Sequence, residues 1–163
     1  MCGGVEFHWG EDKQKVYFPY PNAKLPVIRR DGGIELVTWG RRNEENDSEA
    51  LPFPVNGWVR EDSYARGDSM WNRYRSKPVR IAVDAFMEKD DKGNSHWFSM
   101  PEGQCLQGLL LIVDGRWRVY VMTTTPPENA IPKIETDNHD LFGALETEPV
   151  QIHQRWPMHT SIG

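Results

Sequence analysis

Cys2, directly behind the initiator methionine, is the residue of this chain whose position could do chemistry. Once Met1 is removed, Cys2 carries a thiol and a free α-amine on adjacent carbons. Such an aminothiol condenses with an aldehyde, the amine forming an imine and the thiol closing on it as a thiazolidine. The same thiol can also act as a nucleophile. Gly3 and Gly4 carry no side chains, which leaves a close approach to Cys2 open. Imine formation needs proton shuttling, and the polar residues available along the chain include Asn56, Glu88 and His153. A carboxylate in a partly desolvated cleft and an imidazole titrating near neutrality can provide it. Each has a structural alternative: Asn56-Gly57 is a turn pair, Glu88 beside Lys89 is a solvated charge, and His153 is a satisfied strand residue. Trp39 reads as core.

The chain has 163 residues, which fits a single domain spanning 1–163 with a core of its own and no internal repeat. Aromatic content of 11%, with seven tryptophans, supports a folded core. The two cysteines, Cys2 and Cys105, make neither a disulfide framework nor a zinc-ligand spacing. No metal and no cofactor are expected, and a reducing, cytoplasmic setting fits. The first residues do not resemble a basic n-region followed by an apolar h-region, and the aliphatic run Leu109 to Val113 is too short to span a bilayer, so neither export nor a membrane partner is expected. A monomer is the simplest oligomeric reading. The net charge of −5 argues against a protein that coats nucleic acid by bulk electrostatics. Between Gly57 and Arg80 the balance reverses, with Arg60, Arg66, Arg73, Arg75, Lys77 and Arg80 set against Glu61, Asp62 and Asp68. That asymmetry points to an anionic ligand or to a solvated face.

Several elements must position these residues. Val5 to Trp9 reads as a strand and Glu11 to Lys15 as a polar turn; Phe18 to Asn22, with two prolines, reads as an ordered loop. Leu25 to Arg29 and Ile34 to Trp39 flank an Asp-Gly turn and form a hairpin. Ser63 to Tyr74 suggests a short basic helix stopped by Pro78, and Val79 to Met87 one β-rich run ending at Glu88. Lys89 to Asn94 reads as a turn, with His96 to Met100 as the returning strand. Gln104 to Val113 is helix or strand by pattern, and Leu109 to Val113 pairs with Trp117 to Thr124 across Asp114-Gly115. A short helix is expected near Asp140 to Leu145. The fold class expected is α+β, mainly antiparallel sheet with a few short helices.

The order of these pieces resembles the SRAP family, the SOS response-associated peptidase domain. Met1-Cys2-Gly3 is similar to the family's opening, Leu36 to Gly40 to its strand ending in Trp-Gly, and Asn56 to the start of its Asn-Ala-Arg motif. Phe86-Met87-Glu88 resembles the strand that ends in glutamate, Met122-Thr123-Thr124 a threonine-bearing strand, and His153 to Pro157 the closing His-x-Arg-Met-Pro motif. Gly4, Gly57-Trp58, Lys89 and Trp156 depart from the family's usual residues, so what the chain resembles is a divergent, phage-derived member. The resemblance implies a sheet curled into a partly closed, barrel-like core. It also implies binding of single-stranded DNA at abasic sites and a thiazolidine cross-link from Cys2 to the ring-opened sugar aldehyde. In that scheme Glu88 moves protons during condensation, His153 assists sugar ring opening, and Asn56 holds the Cys2 terminus or the sugar. Thr123 joins that polar cluster, Trp39 stacks beside a base, and Arg60, Arg73, Arg75 and Arg80 contact phosphates.

Two other readings compete. In one, Cys2 attacks an amide, with Glu88 or His153 as base, in an N-terminal-nucleophile hydrolase or self-processing peptidase. In the other, the chain is a DNA-binding module without chemistry.

Overall fold

The computed structural model describes residues 3–43, 53–67, 69–133, 148–152 and 155–162. The strands, in chain order, are β1 (Gly4–Trp9), β2 (Asp12–Tyr17), β3 (Lys24–Ile28), β4 (Ile34–Thr38), β5 (Trp58–Arg60), β6 (Arg75–Ile81), β7 (Ala85–Lys89), β8 (Ser95–Ser99), β9 (Gln104–Val113), β10 (Arg116–Thr124), β11 (Trp156–Pro157) and β12 (His159–Ser161). One helix, α1 (Glu61–Ala65), and a 3-10 turn at Met70–Arg73 follow β5. A smaller sheet has the order β2-β1-β7-β8, and a larger one runs β11-β10-β9-β6-β3-β4, with β5 beside β10 and β12 beside β9.

Two Asp-Gly turns organise the larger sheet. At Asp31-Gly32 the carboxylate oxygen Oδ1 accepts from Gly33 N at 2.8 Å, and the hairpin closes with Arg29 N donating to Gly33 O at 2.7 Å. At Asp114-Gly115 both residues have positive φ, 51° and 73°, the geometry that matches the twist of a two-residue hairpin. The ambiguity of Gln104 to Val113 has a physical cause. β9 is covered on both faces: Leu106 and Leu110 belong to one core, Leu109 and Leu111 to another formed with Phe53, Trp71, Tyr120 and Met122. A strand buried on both sides shows no alternation.

Three expectations are corrected. Glu11 to Lys15 is no turn: Asp12–Tyr17 forms β2, an exposed edge strand whose Lys13 and Lys15 ammonium groups reach back to the Glu6 carboxylate at 3.1 and 3.9 Å. The run Val79 to Met87 is two strands in different sheets. The chain crosses between them at residues 82–84, where Ala82 N donates to Pro26 O and Asp84 N to Glu6 O. Pro78 lies inside β6, at a point where β3 has left that strand, which tolerates a residue without N–H. The basic helix is only α1 and the 3-10 turn, because Arg66 returns to extended geometry (ψ 128°) just before Gly67.

The expected α+β class and barrel-like core are overturned as well. The described residues are 53% strand and 7% helix, and both sheets are open. Closure requires continuous ladders between all neighbours. Between β4 and β10 the described residues form no ladder, only the isolated bridge Trp39↔Val119 just past the end of β4, with Gly40 N donating to Val119 O at 2.8 Å. Among the described residues no helix is long and apolar enough to cross a membrane. The helix expected near Asp140 to Leu145 lies outside the described residues.

Candidate functional site

β7 is an interior strand of the smaller sheet, flanked by β1 and β8, and its first four residues, Ala85 to Glu88, are all buried. The sheet therefore carries a carboxylate into the interior: Glu88 is 4% exposed. Arg155 Nε donates to Glu88 Oε1 at 3.2 Å, and the Arg155 guanidinium lies 3.4 Å above the ring of Trp58. Trp58 is itself propped by Phe18 and Trp39, with ring centroids 4.9 and 5.5 Å away. The segment carrying Arg155 is wedged between the splayed ends of β9 and β10: Met158 N donates to Met122 O at 2.9 Å, and Gln107 N to Met158 O at 2.8 Å.

Two buried carboxylates show what this setting does. Burial penalises the charged form of both. At Glu6 the ammonium groups of Lys13 and Lys133 outweigh burial and hold the carboxyl below its ordinary range. At Glu88 burial wins over the single Arg155 guanidinium, and the carboxyl is pushed up to about 7. Glu88 is thus an acid and a base at neutral pH.

The chain start comes close to this pair. The β1–β7 ladder ends at Gly4↔Met87, one residue short of Glu88. A Cβ on Gly3 would lie 2.3 Å from Trp58 Cζ2 and 3.1 Å from Arg155 Nη2, so only glycine fits there. On the far side, Ile152 bridges to Asp90 two residues beyond Glu88. Cys2 and His153 themselves lie outside the described residues.

Beside Arg155 and Trp58 opens a cavity of about 280 Å3, lined also by Asn56, Arg60, Ser63, Trp71 and Thr123. Three residues singled out from the sequence, Asn56, Arg60 and Thr123, meet here. Asn56 Oδ1 accepts from Gly57 N at 2.8 Å and Trp58 N at 3.2 Å, which spends the carbonyl on the turn and leaves the amide N–H groups for the cavity. Thr123 is buried in β10 between Arg60 of β5 and Pro157 of β11. Arg60 pairs with Asp62 at 3.1 Å on the exposed rim.

Gly40 fixes this corner, because Arg41 N donates to Asn56 O at 2.9 Å and a Cβ on Gly40 (φ 52°) would sit 2.1 Å from that oxygen. Gly40→Ala is expected to cost at least about 2 kcal/mol. Gly93→Ala, also left-handed (φ 85°) but in open space, should cost only about 1 kcal/mol. Urea unfolding of the two variants measures the difference.

Other sequence-selected residues fall elsewhere. Trp39 is 1% exposed and its Nε1 donates to Gly57 O at 2.8 Å. The expectation that it stacks on a base is corrected: its ring is enclosed by core neighbours and serves to support Trp58. Arg73 and Arg75 are exposed at the 3-10 turn and the start of β6, outside the cavity. Arg80 bonds the Ile162 carbonyl and lines a different cleft. Cys105 is buried in β9, which pushes its thiol pKa up. Among the described residues no three His, Cys, Asp or Glu side chains form a metal cluster. Sequence reasoning missed Arg155, Trp58, Ser63 and Trp71 as site residues. For Arg155 a signal existed: it stands two residues after His153, and in an extended chain such residues share a face. The chain matches no protein-family model, no curated protein and no solved structure.

Proposed function

We propose that this chain is an SRAP-type protein that recognises abasic sites in single-stranded DNA and links to them through Cys2 once Met1 is removed. The observation that carries this reading is Glu88: a buried carboxyl with a pKa of about 7, paired to Arg155 beside Gly3, the neighbour of Cys2. The Cys2 amine attacks the C1′ aldehyde of the ring-opened deoxyribose and gives a carbinolamine. Glu88, protonated in about half of the molecules near neutrality, delivers a proton to the departing hydroxyl, which leaves as water. The Cys2 thiol then adds to the imine carbon, its proton passing to nitrogen, and the thiazolidine is complete with one water released overall. His153 takes the ring-opening step. Asn56 holds the sugar or the chain terminus through its amide, and Arg60, Arg73 and Arg75 meet phosphates.

The test is a denaturing gel with a single-stranded abasic oligonucleotide, after intact mass has established that Cys2 is the first residue. A denaturation-resistant adduct is expected with the aldehyde-bearing strand and none with the same strand reduced by borohydride. No adduct despite a free Cys2 amine removes the proposal.

A further inference from the structure

Where β3 leaves β6, the larger sheet opens into a cleft of about 700 Å3, within the range of small-molecule sites. The ladder between these strands holds only Val27↔Ile81 and Ile28↔Arg80, so β6 from Arg75 to Val79 has no partner on that side among the described residues. On the opposite flank β10 and β4 form no ladder, the one bridge among the described residues there being Trp39↔Val119 just past the end of β4, and Trp117, two residues before Val119, is 45% exposed. The cleft shares no lining residue with the cavity at Asn56.

Its floor is apolar, made by the buried Val27, Val37 and Leu110 and the half-buried Val79. Its rim carries Arg29, Arg30, Lys77 and Arg80 against one carboxylate, Glu35. Arg29 is engaged by Asp31 at 3.4 Å and Arg80 by the Ile162 carbonyl. Arg30 and Lys77 have no acidic partner among the described residues. A cationic rim on a chain of net charge −5 is a local field for an anion. The apolar floor asks for a greasy body as well, which a sugar-phosphate chain does not offer.

We infer that this cleft binds an amphipathic anion, with an apolar body on Val27, Val37, Val79 and Leu110 beneath Trp117 and a carboxylate, sulfonate or phosphate head at Arg30 and Lys77. The probe is anilinonaphthalene sulfonate, whose fluorescence rises on apolar burial. Saturable binding is expected, weakened about fivefold or more by added salt and by the double variant Arg30→Glu/Lys77→Glu. Lys92→Glu, at another exposed lysine in the β7–β8 turn, should leave it unchanged. Trp117→Ala keeps every charge and should weaken binding too. Decanoate and naphthyl phosphate are expected to displace the probe, their relative strength telling a carboxylate ligand from a phosphate one, while decanol is not. The inference is overturned if the double variant binds as tightly as the parent, if decanol competes as well as decanoate, or if an oligothymidylate displaces the probe where both small anions fail.

Discussion

Glu88→Gln is expected to form the same cross-link to abasic single-stranded DNA about a hundredfold more slowly than the parent chain, and Cys2→Ala to form none. Glutamine keeps the shape and can still accept from Arg155, but it can neither release nor take up the proton that carbinolamine breakdown requires. The aminothiol is untouched, so the product is unchanged and only its rate falls. The same variant carries an opposite expectation for stability. Glu88 titrates near 4.5 when exposed and at about 7 in the fold. The native state therefore holds its proton longer than the unfolded chain does. Stability associated with Glu88 is full below pH 4.5 and is lost as pH rises through about 7, since the unfolded chain ionises first. At about 1.4 kcal/mol per pH unit the loss approaches about 3 kcal/mol. Glu88→Gln has no such loss, so its stability relative to the parent should improve by that amount between pH 4 and pH 8, as urea unfolding at the two pH values would show. A rate equal to the parent's would remove Glu88 as proton carrier. A stability difference independent of pH would show that the carboxyl does not titrate near neutrality in the fold.

How much of this was legible in the sequence depended on the range of the interaction involved. The β3–β4 and β9–β10 hairpins are read correctly because Asp31-Gly32 and Asp114-Gly115 encode their turns locally. β2 escapes because Asp12, Lys13, Gln14 and Lys15 are polar; what makes them a strand is the ladder supplied by β1, and charge is what an exposed edge strand carries. The break between β6 and β7 escapes for a similar reason. Nothing local divides Val79 to Met87; the division comes from Pro26 and Glu6, both far back in the chain, which accept from Ala82 and Asp84. Closure of the sheet was read from family resemblance, and the single bridge at Trp39 does not supply it. At the site, Glu88 was identifiable as a strand-end carboxylate, but Lys89 beside it suggested solvent. Burial comes with distant segments, Arg155 from the far end of the chain pairing with it beside Trp58, which no spacing within residues 85–89 reveals. The meeting of Asn56, Arg60 and Thr123 in one cavity follows from parallel pairing of β5 with β10, a contact between segments about sixty residues apart.

Arg155→Met should be the most pH-sensitive change in the protein. Methionine keeps an unbranched, packable side chain above Trp58 but removes the guanidinium that pulls against burial at Glu88. The Glu88 carboxyl must then rise further above its value of about 7. Near pH 5 Glu88 is protonated in both proteins, and loss of the cation stack on Trp58 and of the hydrogen bond to Glu88 costs the variant at least about 1–2 kcal/mol. Above pH 7 the parent ionises Glu88 in the fold and its linkage cost levels off. The variant still holds the proton, so the gap widens by about 1.4 kcal/mol for each further pH unit until its own Glu88 ionises. Denaturant midpoints at pH 5 and pH 9 should diverge accordingly, and the limb of the cross-linking pH–rate profile set by Glu88 should move to higher pH. A merely structural arginine would give an equal loss of stability at both pH values and an unmoved profile. Because the Trp58 ring carries Arg155 and Gly3 packs against both, the same experiment tests how far this stack positions the pair: the aromatic ring holds, from below, an arginine delivered by the other end of the chain.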